Sequence, residues 1–292
     1  GWWDEMLKKH NDIVGLDAAI LMSPKVWQAS GHLTAGFADE LVECKKCHKR
    51  FRLDEIEENL PSHHSAKGGT GSDGCPDCGG ILTKPKKFNL MMKTFVGPVE
   101  DKAAATYLRA ETCQGIYVNF KNVLQTMRMK IPFGIAQIGK AFRNEITPKD
   151  FIYRTREFEQ MEMQWFCHPK EASKLFDYWK KERLNWYLNL GIKKENLRVK
   201  KVPKKELPHY AKRALDIECK FPFGWHEIEG IHNRGDWDLS NHSKHSGEDL
   251  KYYDEETKQK YFPHIIETSV GVDRSLFAFL CDAYQELLLF LF

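Results

Sequence analysis

One stretch near the middle of this 292-residue sequence contains several arginines together with an aromatic residue. An Arg-Asn-Glu triplet at 143–145 is followed by a polar loop and then by Arg154, Arg156 and Phe158. If the stretch forms strand, loop and strand, the period of two places these last three side chains on one face. A guanidinium offers a fork of donors to phosphate oxygens, and an aromatic ring offers a surface on which a purine can stack. The pattern predicts a nucleotide site, and the sequence contains no GxxxxGK[ST] phosphate loop.

Four cysteines form two CxxC pairs, Cys44 with Cys47 and Cys75 with Cys78, separated by 27 residues. Two such pairs can complete a closed, tetrahedral four-cysteine zinc site. A redox CxxC motif is the alternative, but it would occur once rather than twice. We expect a structural metal, because a closed site has no open position for water. The ligand spacing itself fits iron as well as zinc.

The overall composition is that of a soluble globular protein. Hydrophobic residues make up 42% and charged residues 29% of the chain, and the formal net charge is +3. This charge is too small to indicate nucleic-acid binding without other evidence. No signal peptide or apolar run of about 20 residues is present, so a cytoplasmic location is expected.

Periodicity predicts the elements that must position these residues. Residues 2–9 have apolar side chains at helical spacing, and the alternating run 13–22 indicates a strand. The stretch 44–80 has few large apolar residues, which predicts a small inserted module. Further strands are predicted at 116–120, 135–142, 162–166, 217–221, 225–231 and 264–268, and helices at 171–190 and 271–285.

The order of these elements predicts an α+β fold. Several strands follow one another through loops, without the strict alternation of strand and helix found in a Rossmann fold. We therefore expect an antiparallel β-sheet flanked by helices, with the cysteine-containing module inserted.

The residues at 142–145 and 154–158 resemble motif 2 of class II aminoacyl-tRNA synthetases. Segments 109–115, 225–231 and 267–274 resemble homodimeric glycyl-tRNA synthetases, in the order of that family. The resemblance implies a class II synthetase antiparallel sheet with a zinc-ribbon insertion between motifs 1 and 2. It divides the chain into motif 1 and the start of the core (1–43), the zinc ribbon (44–80), the core with motifs 2 and 3 (81–285) and an apolar tail (286–292).

The same resemblance implies an activity and partners. Glycine would be activated with ATP and Mg²⁺ to glycyl-adenylate and transferred to tRNA(Gly), and motif 1, here 2–24, would form a homodimer. No segment resembles the family's C-terminal anticodon-binding domain, so we expect a catalytic core whose transfer step is weakened.

Roles in ATP binding carry over residue by residue. The resemblance places Arg143 at the α-phosphate, Arg274 at the γ-phosphate and Phe158 under adenine. It implies that Arg143, Glu145 and Arg274 are catalytic. The implied ATP-binding set is Arg143, Asn144, Glu145, Arg154, Arg156, Phe158, Glu227, Ile228, Gly271 and Arg274.

Glycine has no side chain, so an enzyme can select it only through its ammonium group, its carboxylate and the lack of space for a larger residue. The resemblance places Glu111, Glu162 and Glu267 around the ammonium group. It places Ser269 beside the α-carbon and adds Arg52 as a further pocket residue. A pocket already filled by these groups would exclude alanine by overlap, a stronger filter than the loss of one methylene contact.

The sequence leaves two other functions open. The chain could be a catalytically silent, synthetase-like module that binds RNA or a partner through its zinc ribbon, or a class II enzyme for another amino acid. Retention of Arg143, Glu145, Phe158 and Arg274 favours an enzyme, and the acid-rich pocket favours glycine. Each of these residues alone has a structural explanation, such as a cross-strand ion pair; their joint occurrence in order supports the functional interpretation.

Overall fold

The structure, a computed structural model, describes residues 1–34, 37–58 and 74–285. Part of the predicted insertion, at 59–73, and the predicted apolar tail at 286–292 lie outside this range. Within the described residues, no helix has both the length and the apolar character needed to cross a membrane. In chain order the helices and strands are α1 (Trp2–Lys8), β1 (Ile13–Gly15), β2 (Leu21–Met22), α2 (Pro24–Ala29), β3 (Ala38–Glu43), β4 (Arg50–Arg52), α3 (Leu53–Glu58), β5 (Lys86–Asn89), β6 (Lys93–Phe95), β7 (Ala105–Leu108), α4 (Cys113–Thr126), β8 (Phe133–Phe142), β9 (Glu157–Cys167), α5 (Ala172–Asn189), β10 (Leu197–Lys201), β11 (Arg213–Phe221), β12 (Gly224–Gly235), α6 (Trp237–Ser246), β13 (Tyr252–Tyr253), β14 (Lys260–Tyr261), β15 (His264–Gly271) and α7 (Val272–Ala283).

Seven strands form the central sheet, in the order β1-β8-β9-β15-β12-β11-β10. Neighbouring strands are antiparallel except β1 and β8, which run parallel at one edge. Helices pack on the sheet, so the α+β class is confirmed. The parallel pair makes the sheet mixed rather than purely antiparallel as predicted.

One face of this sheet is apolar. Met161, Met163 and Trp165 alternate along β9, and they share a face because side chains two positions apart on a strand point the same way. They belong to a buried cluster that includes Phe176 and Trp179 of α5. Burial of this face anchors α5 to the sheet and leaves the opposite face available for other chemistry.

The opposite face is polar at its centre. Glu162 and Gln164 of β9 lie directly across from Ser269 and Glu267 of β15. Helices α4 and α6 cover one end of this face with a second apolar cluster. The uncovered part is the floor of the cavity described below.

A buried ion pair lies on the apolar side of the sheet. The Arg183 Nε of α5 donates to the Glu229 Oε1 of β12 at 2.6 Å, and both side chains are at most 1% exposed. The Arg183 guanidinium also lies 4.5 Å from the ring of Trp186. Each charge is acceptable in this position only because the other is present.

We predict that Arg183→Met lowers the free energy of unfolding by about 3–5 kcal/mol, because it leaves the Glu229 carboxylate buried without its cation. The matched control is Asp177→Asn, which removes an exposed partner of Arg213 and should cost less than about 1 kcal/mol. Urea denaturation followed by circular dichroism measures both values. Equal costs for the two variants would contradict the importance of the buried pair.

The strand predicted at 116–120 is wrong, because these residues lie in α4. The alternating apolar run Ile-Tyr-Val-Asn-Phe fits the strand period, but the apolar positions extend at helical spacing through Ile116, Phe120 and Val123. These side chains pack on Phe133 and Phe166. Tertiary packing therefore determines the conformation of a segment whose local sequence is ambiguous.

Other predicted elements are present with adjusted bounds. The helices predicted at 2–9, 171–190 and 271–285 are confirmed as α1, α5 and α7. The single strand predicted over 13–22 is divided, because β1 pairs with β8 in the central sheet and β2 pairs with β7 in another. A three-stranded sheet, β4-β3-β5, lies next to the cysteine pairs and extends on both sides of the range 44–80.

Candidate active site

The stretch from 143 to 156 connects β8 to β9 and borders the polar face of the sheet. Phe158 lies in β9, but Arg154 and Arg156 precede that strand, so the predicted strand face shared by all three residues is not formed. Asp150 and Phe151 have left-handed φ values of 57° and 54°, which turn the chain back on itself. The two arginines are therefore presented by a loop.

An open cavity of about 300 Å³ lies over the polar face of the central sheet. The loop 143–156, strands β12 and β15 and the start of α7 border it. Such a volume and a lining of converging charged groups are typical of a small-molecule site. The predicted residues that line the cavity are Glu111, Arg143, Glu145, Arg154, Phe158, Glu162, Glu227, Glu267, Ser269, Gly271 and Arg274.

Three residues predicted for ATP binding do not line this cavity. The side chain of Ile228 belongs to the apolar core and is 1% exposed, so only its backbone is available to a ligand. The Arg156 Nε donates to the carbonyl of Glu145 at 3.0 Å. The backbone amide of Asn144 donates to the carbonyl of Leu90 at 2.8 Å. The hydrogen bonds of Arg156 and Asn144 hold the loop 143–156 in place.

Arg52 was predicted in the glycine pocket, and the structure places it elsewhere. Its guanidinium nitrogens lie 3.2 Å from Asp39 and 2.6 Å from Asp54. The nearest lining residue with which it forms an ion pair is Glu145, at 4.0 Å. Its two aspartate partners hold it beside the loop 143–156, outside the cavity.

A second contact joins the same loop to the cysteine-containing region. Glu55 of α3 has its Oε1 3.1 Å from the Lys149 Nζ and 3.5 Å from the Arg154 Nη1. Because α3 directly follows β4, the small β4-β3-β5 sheet supports the loop through both Arg52 and Glu55.

One end of the cavity is basic. The Arg143 Nε donates to the carbonyl of Ala110 at 3.1 Å, and its guanidinium lies 5.4 Å from the ring of Phe158. Arg274 lies over the ring of Tyr153 at 4.3 Å and donates from Nε to the carbonyl of that residue at 3.2 Å. Both guanidiniums are oriented by backbone carbonyls and aromatic rings, and both retain nitrogens that can bind an anion.

The other end of the cavity is acidic. Glu162 accepts hydrogen bonds from the hydroxyls of Thr112 and Ser269, the latter at 2.7 Å. The sulfur of Cys113 and carboxylate oxygens of Glu162 and Glu267 all lie within 4.8 Å of one another. Glu111 also lines this end of the cavity. A compact group of acids of this kind can surround a cation.

Several neighbouring side chains hold the Glu267 carboxylate in place. Arg234 donates to both of its oxygens at 3.1 Å, Gln164 donates at 2.9 Å and His232 lies at 2.8 Å. Arg234 is itself paired with Asp238, from Nε at 2.7 Å and from Nη2 at 2.8 Å. The carboxylate therefore has a fixed position.

The four cysteines of the two CxxC pairs converge. The Cys44 and Cys78 sulfurs are 3.6 Å apart, as are those of Cys47 and Cys75. Tetrahedral zinc with Zn–S bonds of about 2.3 Å would separate its sulfurs by about 3.8 Å, so the arrangement fits a four-cysteine metal site. A side chain at Gly80 would come within 2.8 Å of the Cys44 sulfur, which explains the need for glycine beside the cluster.

Residues 97–283 match the sequence profile of the family described as tRNA synthetase class II core domain (G, H, P, S and T). The chain belongs to this family. It is 54% identical to a glycine–tRNA ligase of Treponema denticola, over 98% of this chain and 61% of that protein. It is 51% identical to one of Thermobifida fusca and 52% to one of Alkaliphilus oremlandii, over 98% of this chain in each case and 63% and 65% of those proteins. The chain thus spans a little over three fifths of the length of these relatives.

The acidic end of this class II core contains carboxylates with different proton affinities. Burial opposes ionisation of Glu267, but the charge of Arg234 and the hydrogen bond from His232 outweigh it and lower its pKa to about 2. Burial and the neighbouring charges of Glu267 and Glu111 raise the pKa of Glu162 to about 7. Near neutral pH, Glu162 is therefore poised between its protonated and ionised forms.

We predict that Glu162 makes stability depend on pH. Between pH 4.5 and pH 7 the folded protein keeps a proton on Glu162 that the unfolded chain loses, so the free energy of unfolding falls as pH rises, by about 3 kcal/mol in total. Glu162→Gln should remove this contribution, so the variant gains relative stability toward pH 8. Urea denaturation at pH 5 and pH 8 tests this, with exposed Glu195→Gln as control; the same pH dependence in wild type and Glu162→Gln would contradict it.

The sequence prediction missed several residues of the class II core site. Arg234 and His232 hold Glu267, and the Arg234 guanidinium lies 3.8 Å from the ring of Tyr210. A signal was present in the sequence, since Arg234 and Asp238 are four positions apart where an apolar strand gives way to a helix. This spacing predicts only that the two side chains can meet, and it does not reveal that Arg234 also reaches Glu267 on another strand.

Proposed function

We propose that this class II core activates glycine with ATP, forming glycyl-adenylate and pyrophosphate, and transfers the glycyl group to tRNA(Gly). The supporting observation is a single cavity with three glutamates at one end and two anchored arginines at the other. The printed names of the similar proteins support the choice of glycine. Those names do not favour a catalytically silent module.

The basic end is proposed to bind ATP. An oxygen of the glycine carboxylate attacks the α-phosphorus, the bond to the bridging oxygen breaks, and pyrophosphate leaves. Arg143 would offset the charge that builds up on the α-phosphate oxygens. Arg274 would bind the γ-phosphate and Phe158 would stack on adenine. Gly271 supports this geometry, because an added Cβ would come within 3.3 Å of the Arg274 side chain.

Magnesium would accompany ATP as a substrate ion. Mg²⁺ prefers oxygen ligands and is commonly held by one or two carboxylates together with phosphate oxygens. Glu145 and Glu227 line the cavity. The Glu145 Oε2 lies 3.7 Å from the Arg154 Nη1, and the Glu227 Oε2 lies 3.6 Å from the Arg274 Nη1. We propose these two carboxylates as its ligands, directly or through water.

The acidic end is proposed to bind glycine. Its ammonium group would lie among Glu111, Glu162 and Glu267, and its carboxylate would point toward the arginines. Ser269 donates a hydrogen bond to Glu162 at 2.7 Å, and in this position its side chain would lie against the α-carbon of the substrate. A methyl group on that carbon would overlap these held side chains, so alanine would be excluded.

We predict glycine-dependent exchange of pyrophosphate into ATP. Arg143→Ala should reduce the exchange rate by about a hundredfold or more, the effect expected from losing one preorganised donor to the transition state. Arg213→Ala, at an exposed pair with Asp177, is the matched control and should retain the rate.

Alanine and serine should each support little exchange. The proposal fails if folded wild-type protein shows no exchange with glycine, and that result would favour a silent binding module. Exchange that alanine or serine supports as well as glycine would instead indicate another class II specificity.

A homodimer through motif 1 is part of this proposal. Trp3 of α1 is 38% exposed and Leu21 of β2 is 45% exposed. Large apolar side chains exposed in the region 2–24 are suited to contact with a second copy.

The cysteine cluster is proposed to hold one structural Zn²⁺ through Cys44, Cys47, Cys75 and Cys78. Bound zinc would fix the β4-β3-β5 sheet, and through Arg52 and Glu55 the position of the loop 143–156. The ion would take no part in the chemical step, because its four ligand positions are filled.

We predict that one zinc per chain is present and that its removal by a chelator raises the KM for ATP more than that for glycine. Elemental analysis and pyrophosphate exchange measure the two effects. Cys47→Ser should mimic chelation, whereas Cys281→Ser, outside the cluster, should not. Detection of iron in place of zinc would change the identity of the proposed metal. A metal-free protein with full activity would rule out the metal site.

A further inference from the structure

A chain of hydrogen bonds connects Glu111 to a histidine on another helix. Gln114, in the first turn of α4, is fully buried and donates from Nε2 to the Glu111 Oε1 at 2.9 Å. The Gln114 Oε1 lies 2.7 Å from the Nε2 of His242 in α6. His242 is 5% exposed. The three residues span from the cavity, through the start of α4, to α6.

The chemistry of the two ends determines the direction of each bond. Burial opposes ionisation of Glu111, but His32 and Arg234 outweigh it and hold its pKa well below the usual range, so the carboxylate only accepts. Gln114 must then present its amide N–H to Glu111 and its carbonyl to His242. Burial lowers the pKa of His242 to about 4, so this ring is neutral and must carry its proton on Nε2.

The two carboxylate oxygens of Glu111 differ in their contacts. Gln114, the sulfur of Cys113 at 3.0 Å and the His32 Nε2 at 3.4 Å all approach Oε1. Among the described residues, Oε2 has no hydrogen-bond partner, and Glu111 lines the cavity. Oε1 is thus used for positioning and Oε2 is available to a ligand.

We infer that Gln114 and His242 are positioning residues that orient the Glu111 carboxylate toward the ammonium group of the substrate. This rests on the proposed binding of glycine. Neither residue touches the cavity, so both act through Glu111. Without the hydrogen bond from His242, the buried Gln114 carbonyl has no partner. Rotation of the Gln114 side-chain amide would then turn its oxygen toward the Glu111 carboxylate.

The space beside His242 allows it to be replaced by another aromatic residue. Its ring borders a separate cavity of about 290 Å³ between α2, α4 and α6, lined also by Lys25, Val118 and Leu250. A phenyl ring therefore has space at this position. Three residues further along α6, His245 is exposed and its Nδ1 lies 2.9 Å from the carbonyl of Asn241, with no contact to Gln114. It is a matched control on the same helix.

The experiment measures pyrophosphate exchange for four proteins. His242→Phe should raise the KM for glycine about tenfold, the effect of losing one buried hydrogen bond, and leave the KM for ATP within about twofold. His242→Gln restores an N–H donor at a similar distance from the Gln114 carbonyl and should return the KM for glycine most of the way to its wild-type value. His245→Phe should match wild type. An unchanged KM for glycine in His242→Phe, or an equal rise for both substrates that Gln does not rescue, would overturn the inference.

A second measurement does not depend on activity. Two-bond ¹H–¹⁵N spectra of the folded wild-type chain should show His242 as the Nε2–H tautomer from pH 6 to pH 8, and the Nδ1–H tautomer would overturn the inference. If wild type shows no glycine-dependent exchange, the proposed function fails. The hydrogen-bond chain is then judged on the tautomer alone, so the two failures are distinguishable.

Discussion

Burying several carboxylates close together costs free energy unless each is supplied with donors or cations, and much of this site is arranged to meet that requirement. Arg234 is the central group, because it pairs with Glu267 and Asp238 and lies over Tyr210. Its position at the end of β12 requires that strand to lie beside β15. Loss of this one cation would leave Asp238 without its ion-pair partner and Glu267 with only Gln164 and His232.

The division of the sheet into two faces makes this arrangement possible. Along β9 the apolar residues Met161, Met163 and Trp165 face α5, while Glu162 and Gln164 lie on the opposite face, where Glu162 lines the cavity. A shift of one residue in register would exchange the two sets. The hydrophobic packing that stabilises the fold therefore also determines which side chains face the cavity, so stability and the geometry of the site have a common origin.

Much of this was predictable from the sequence, and the omissions have physical reasons. Residue types and spacing identified the cysteine cluster and a nucleotide site around Arg143 and Phe158, because those motifs are local in sequence. The family resemblance supplied the other predicted residues, and together the predictions cover half of the residues that line the cavity. The conformation of α4 was misjudged, since Ile116 to Phe120 fits both periods and only contacts with Phe133 and Phe166 decide between them. Arg52 and Arg234 could not be placed, because each has a near partner in sequence and also a distant one, Glu145 for Arg52 and Glu267 for Arg234.

The contacts of Arg52 and Glu55 with the loop 143–156 have a consequence for the order in which ligands are bound. Two ligands that stabilise the same arrangement of one loop each increase the affinity of the other by the same factor. The proposed metal ion, which would order the small sheet, and the proposed nucleotide, which would order the loop from the cavity side, would be linked in this way. The nucleotide would then raise the affinity for the metal, so the metal would be bound more weakly by the nucleotide-free protein than by the nucleotide-bound protein.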